Sequence, residues 1–172
     1  MADAERLFTS TRNGVFRYLC RVVGSGSAGE LTQDVFLRVA RGPVPEGDEA
    51  SLRAWIFRIA RNLALNHVRD QRRRGICVEM TERGEPATQE LGVALRQALD
   101  ALPPLDRDVF LLREASGLSY EEIGRACELT VGAVRSRLHR ARQQLRLTLS
   151  PALNRHESLQ EVTLYDRPRD PD

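Results

Sequence analysis

The stretch Ser119-Tyr120-Glu121-Glu122-Ile123-Gly124-Arg125-Ala126-Cys127-Glu128-Leu129-Thr130-Val131-Gly132-Ala133-Val134-Arg135-Ser136-Arg137-Leu138-His139-Arg140-Ala141-Arg142 decides the fold. Ser119 and Glu122 have the spacing of a capping box: the hydroxyl accepts from the third residue's N–H, and the acid reaches back to the cap's own N–H. Ile123 and Ala126 supply the apolar side of the short helix that starts there. Cys127-Glu128-Leu129 reads as a turn, although Glu128 stands where glycine would suit the backbone better, and Thr130 can cap a second helix. At about 100° per residue, Val131, Val134, Leu138, Ala141 and Leu145 fall within roughly 80° of one another. Gly132, Ala133, Ser136, Arg137 and Arg140 lie opposite, with Arg135, His139 and Arg142 on the flanks. Residues 131–149 hold five Arg and no acid. Small residues at its start let such a helix approach the floor of a major groove, where Ser and Arg meet base edges. An amphipathic helix in an ordinary α-bundle would show the same stripe. The cap, the short turn, the small residues and the acid-free face favour a helix-turn-helix on DNA.

Upstream, residues 51–73 form a second amphipathic helix. Leu52, Trp55, Ile56, Ile59, Ala60 and Leu63 occupy one arc, and Arg58, Arg61, Asn62, Arg69 and Arg72 the other. Residues 53–74 contain seven Arg and one Asp, enough for a surface that tracks phosphates. Trp55 is chemically able to stack on an exposed base, but its arc assigns it to the core. Asn62 fits either a hydrogen bond to an unstacked base or a solvated amide. In Glu30–Val39, the line Leu31, Val35, Val39 is the buried side, which leaves Gln33, Asp34 and Arg38 outside.

Helical periodicity extends over roughly 3–22, 29–41, 51–73, 90–101, 104–115, 119–127 and 130–148, and no segment alternates like a strand for long. Gly24-Ser25-Gly26-Ser27 and Gly42-Pro43-Val44-Pro45-Glu46-Gly47 are breaks. Gly75 to Gln89 lacks periodicity and reads as a linker that leaves the halves without fixed spacing. The polar tail after Ser150-Pro151 reads as disordered. The net charge of +2 conceals an alternation: +5 over 1–75, −4 over 76–112, +3 over 113–149 and −2 over 150–172. Two basic blocks suit two contacts with a polyanion, and also suit solvated helix faces. Every basic residue is arginine, which gives bidentate contacts that lysine cannot. Cys20, Cys77 and Cys127 are far apart with no CxxC spacing, which points to reduced thiols and no metal site. No run is long and apolar enough to span a membrane, and no export signal is visible, so a cytoplasmic protein is expected. His67, His139 and His156 lack metal spacing. No phosphate loop, nucleophile elbow or carboxylate pair argues for an enzyme.

Three segments in order resemble one family, the extracytoplasmic-function (ECF) sigma factors of bacterial RNA polymerase, the minimal two-domain group of the sigma-70 family. They are Glu30–Arg38, Trp55–Asn66, and Gly117–Ile123 continuing through Val131–Arg142, with Leu102-Pro103-Pro104-Leu105 and Val109–Glu114 opening the second domain. The resemblance covers about residues 3–149. It implies an all-α fold: two small helical domains joined by a flexible linker, the second a helix-turn-helix (winged-helix-like) DNA-binding domain. Residues 1–75 would be region 2, 76–89 the linker, 90–149 region 4 and 150–172 a disordered tail. By position, Gln33, Asp34, Phe36 and Arg38 would dock on the clamp coiled coil of core polymerase. The loop Gly42–Ser51 would hold a flipped −10 base, and Arg58, Arg61, Asn62, Asn66 and Arg69 would contact the −10 region. Thr130, Arg135, Ser136, Arg137, His139, Arg140 and Arg142 would read or clamp the −35 element. The implied partners are core RNA polymerase, promoter DNA and an anti-sigma factor, with no cofactor, no metal and no membrane insertion. Glu30 stands where many relatives carry Asp, and the loop 42–51 is acidic and rich in Pro and Gly. The alternative is a helix-turn-helix repressor or activator that acts without polymerase; it leaves the arginine-asparagine helix at 51–74 unexplained.

Overall fold

The computed structural model describes residues 2–75 and 86–165, with side chains at 9, 11–75 and 92–151. Among these residues there are seven helices and no strand: α1 Ala2–Val23, α2 Ser25–Arg41, α3 Glu49–Arg73, α4 Pro86–Asp100, α5 Pro104–Glu114, α6 Tyr120–Cys127 and α7 Val131–Tyr165.

The breaks are narrower than the sequence suggests. Gly24 alone separates α1 from α2, at φ 85°, and Ser25, Gly26 and Ser27 belong to α2. The first N–H groups of a helix have no intrahelical acceptor, so small and hydroxyl residues cost little there. α3 starts at Glu49 because Asp48 caps it, accepting from the Ser51 N–H at 2.9 Å and from the Ser51 hydroxyl at 2.6 Å. The expected loop 42–51 therefore ends at Asp48, and Glu49–Ser51 are its helical continuation. α4 begins at Pro86, a residue suited to a first turn, so 86–89 are helix; the rest of the expected linker, 76–85, lies outside the described residues. Within the tail expected to be disordered from residue 150, α7 is drawn as helix through Pro151 to Tyr165. Proline removes one N–H from the ladder, while the Ser150 hydroxyl donates to the Arg146 carbonyl at 2.6 Å. Beyond it Ala152, Leu153, Arg155, Glu157, Leu159 and Gln160 are good helix formers. Residues 166–172 lie outside the described residues.

The capping box forms in both directions, Glu122 N–H to Ser119 Oγ at 3.2 Å and Ser119 N–H to Glu122 Oε2 at 2.7 Å. In the turn, Glu128 adopts a left-handed conformation at φ 59°, and the Leu129 N–H closes on the Gly124 carbonyl at 2.8 Å. A Cβ on Gly124 would lie 2.8 Å from the Leu129 carbonyl oxygen, so this close crossing needs glycine.

Helices α1–α3 pack together, as do α4–α7, but α6 also lies along α3 and α5 touches α1. One apolar core runs through both halves, from Val15, Tyr18, Leu19, Val35 and Phe57 to Leu112, Leu118, Ile123 and Leu138. Tyr18 meets Phe57 edge to face at 6.4 Å and 77°. Gly14 lets α1 approach closely: a Cβ there would lie 3.2 Å from the Phe57 ring. The expected unfixed spacing is thus replaced by direct docking, because α3 and α6 bury apolar surface against each other, at ~25 cal/mol per Å².

Replacing Glu128 by Gly removes a left-handed penalty at an exposed site and should raise unfolding free energy by about 0.5–1 kcal/mol. Gly124→Ala should lower it by about 1–3 kcal/mol. Urea denaturation measures both, and the same sign for the two variants contradicts this account of the turn.

Candidate nucleic-acid interface

Of the α7 stripe, Val134, Leu138, Ala141 and Leu145 lie in the core, while Val131 at its start is only partly buried. This sets the polar face outward. Thr130 caps the helix, accepting from the Ala133 N–H at 3.2 Å. Thr130, Gly132, Arg135, Ser136, His139, Arg140 and Arg142 are exposed, and Arg137 is half-buried. Arg135 lies over the Tyr120 ring at 5.8 Å, and Arg113 over the same ring at 5.3 Å. Arg137 Nη1 donates to Asp106 Oδ1 at 2.6 Å, and Arg140 Nε donates to Asp106 Oδ2 at 3.2 Å. Arg142 pairs with Glu114 at 2.7 Å, and both side chains are nearly half exposed. That hydrogen bond holds the Arg142 pKa above its ordinary value. An exposed pair of this kind is worth roughly 0–1 kcal/mol, so a phosphate can displace the carboxylate.

The arginine ribbon of α3 is divided. Asn62, Asn66 and Arg69 are exposed together, and Arg58 is exposed with a long contact of 3.8 Å to Glu128. Arg61 is not available as the sequence suggests. Its Nε donates to Asp108 Oδ2 of α5 at 2.8 Å, with side chains only 19% and 7% exposed. In this state Arg61, expected among the −10 contacts, is held by α5 through Asp108, and α6 packs along α3 beside it. Burial opposes charge on Arg61, but Asp108, together with Cys127 and Tyr18, outweighs burial and raises its pKa. Burial raises the Asp108 carboxyl despite Arg61, and it pushes the neighbouring Cys127 thiol up to about 11. The Tyr18 phenol beside the pair is raised well above its ordinary value, chiefly by burial.

Further contacts cross the same junction. Arg125 of α6 reaches Ser51 Oγ at 2.9 Å and Asp48 Oδ1 at 3.5 Å, at the edge of the loop before α3. Arg53 lies 3.5 Å from Glu122. Arg17 Nε donates to the Ala115 carbonyl at 2.9 Å, and Ser116 Oγ to the Gly14 carbonyl at 3.3 Å. On α2, Leu31 and Val35 are buried, while Gln33, Asp34 and Arg38 are exposed and Phe36 is half-buried against the core. Leu37, 50% exposed, is an apolar member of this face that polarity-based reading passes over.

The family model for sigma-70 region 2 matches residues 7–74, and that for sigma-70, region 4 matches residues 92–145. The chain is 37% identical over 160 residues to the ECF RNA polymerase sigma factor SigE of Mycolicibacterium smegmatis, covering 85% of this chain and 61% of that protein. It therefore spans less than two thirds of that relative's length. It is 32% identical over 155 residues to SigC of Mycobacterium tuberculosis, covering 86% and 83%, and 33% identical over 153 residues to the sigma-E factor of Escherichia coli, covering 78% and 80%. The chain belongs to the ECF sigma factors. The fold of this sigma factor is also similar to that of the sigma factor RpoE of Bartonella quintana, solved with the anti-sigma factor NepR. The TM-score is 0.63 at 23% identity, covering 87% of this chain and 98% of that one.

Sequence reasoning missed the acids of this sigma factor that engage its arginines: Asp106, Asp108, Glu114 and Glu122. Their spacing along the chain carries no signal, since the partners lie 28 to 47 residues away where hydrogen-bonded. No group of three or more His, Cys, Asp or Glu among the described residues could hold a metal ion, and no described helix is long and apolar enough to cross a membrane. Cys20 and Cys127 are free thiols; Cys77 lies outside the described residues.

Asp108→Asn keeps the shape of the junction but removes its negative charge. We expect the halves to part more often, seen as a larger radius of gyration in small-angle scattering at unchanged helix content. An unchanged radius would show that apolar contact alone holds the junction.

Proposed function

We propose that this sigma factor binds core RNA polymerase through the exposed face of α2 and directs promoter-specific initiation in the cytoplasm, without enzymatic activity of its own. The loop 42–48 and the Asn62–Asn66–Arg69 face of α3 take the −10 region, and the outer face of α7 takes the −35 element. The observation that carries this reading is the presence of two separate basic faces on one chain, one of them pairing arginine with exposed amides. A repressor needs only the helix-turn-helix; amides beside a phosphate-tracking ribbon suit unstacked bases in an opened strand. The solved complex of the Bartonella sigma factor with an anti-sigma factor supports an inhibitor of that class as a third partner.

The docked arrangement bears on how the protein works. Positions −10 and −35 are about 85 Å apart at 3.4 Å per base pair, whereas here α3 and α6 are in contact. Both elements cannot be read at once in this state, so α3 and α6 separate on the polymerase. Opening also releases Arg61 from Asp108 and makes it available to the −10 strand.

Free protein is therefore expected to bind promoter duplex weakly, and core polymerase to make binding tight and specific, since opening costs free energy that the larger assembly supplies. Run-off transcription and gel shifts with and without core test this; tight operator-like binding by the protein alone would favour a repressor. Asp34→Arg should weaken capture by core polymerase while changing stability by no more than about 0.5 kcal/mol. Undiminished capture of the folded variant would remove α2 from the interface.

A further inference from the structure

Asp106 lies in the first turn of α5 and is buried, its side chain only 3% exposed. It is a carboxylate placed behind a helix whose outer face is acid-free. A buried carboxylate is costly unless compensated, and here two guanidinium groups of α7 compensate it. The two contacts differ. Arg137 gives a terminal nitrogen, Nη1, at 2.6 Å and is itself 27% exposed, so its end points inward. Arg140 gives Nε at 3.2 Å and is 57% exposed. An arginine held by Nε keeps its two terminal nitrogens free, and these form the parallel pair of donors that meets the O6 and N7 of guanine. Burial alone would raise the Asp106 carboxyl, yet the two arginines hold it below the ordinary carboxylate range, as expected of a carboxylate that stays charged in this arrangement.

We propose that Asp106 is a positioning residue for upstream-element recognition, acting through Arg140: it fixes the guanidinium so that the terminal nitrogens face a base edge, with Arg137 as the strut that keeps the carboxylate in place. The proposal rests on the reading of α7 as the −35 helix. It differs from a mere tie between α5 and α7 in what removal does. Without Asp106, Arg140 keeps its charge and its attraction to phosphate but regains rotamer freedom, so discrimination falls while non-specific binding does not.

The test uses holoenzyme reconstituted from core polymerase and full-length wild type, Asp106→Ala, Asp106→Asn, Arg140→Ala and the Asp106→Ala/Arg140→Ala double variant. Each transcribes from a promoter library randomised across the upstream element, and duplex binding is followed against salt. Wild type should discriminate about tenfold at one base pair. Asp106→Ala should reduce this to about twofold at that same position, with a salt slope unchanged or steeper by about one counterion. The double variant should be no flatter there than Arg140→Ala. If Asp106→Ala does not fold, Asp106→Asn, which keeps the shape and one acceptor, should show the same loss in smaller degree. A folded Asp106 variant with wild-type base preferences overturns the proposal, as does a uniform loss over all sequences, which is what a structural tie predicts. A wild-type enzyme with no upstream preference at all overturns the reading of α7 and the proposal with it.

Discussion

The ion pair between Arg61 and Asp108, 2.8 Å long and largely shielded from water, sits where the two helical units meet. Around it lie Tyr18, Phe57 and Cys127, so its charges are felt in a poorly solvated place. Among the described residues the Tyr18 hydroxyl finds no hydrogen-bond partner. Breaking such a pair by removing one partner is far costlier than never having had it. Arg61 is claimed twice, by the junction and by the basic ribbon of α3. If that ribbon takes the opened strand as proposed, docking and strand contact are mutually exclusive on this edge of the helix.

The same logic recurs in graded form. A composition in which every basic residue is arginine provides planar forks that can be satisfied internally or by phosphate. Exposed pairs such as Arg142–Glu114 are weak in water and exchange easily with a polyanion. Half-buried ones such as Arg53–Glu122, and the doubly held Asp106, fix geometry. Burial of the acid separates arginines that are merely parked from those that are placed. Arg125, touching Asp48 and Ser51 from α6, is of the exchangeable kind, and it occupies the edge of the loop that the −10 element would enter.

Local periodicity made most elements legible. The capping box at Ser119, most of the stripe Val131, Val134, Leu138, Ala141, Leu145 and most of the line Leu31, Val35, Val39 follow from neighbours three or four residues apart; only Val131 and Val39, each at a line's end, stay partly exposed. Where the reading failed, the cause lay in cooperation or distance. Asp48 extends α3 by a single side-chain cap, and Gly24 alone suffices as a break once the following residues have a helix to join. Helix α7 passes Pro151 because the flanking residues keep the ladder. Nothing in the sequence near Arg61 announces Asp108, 47 residues away, and amphipathic patterns do not say which apolar faces will find each other. The family resemblance supplied the roles proposed for α2 and α7, but not the docking of α6 on α3.

The two units are held together in the free protein and, on the function proposed above, part when it engages polymerase and promoter. Spin labels at the exposed Phe16 of α1 and Leu147 of α7, with Cys20, Cys77 and Cys127 replaced by alanine, report the separation directly by electron–electron resonance. One narrow distance is expected in free protein, and a distribution longer by tens of ångströms in the complex, set by promoter elements about 85 Å apart. An identical narrow distance in both states would rule out the opening.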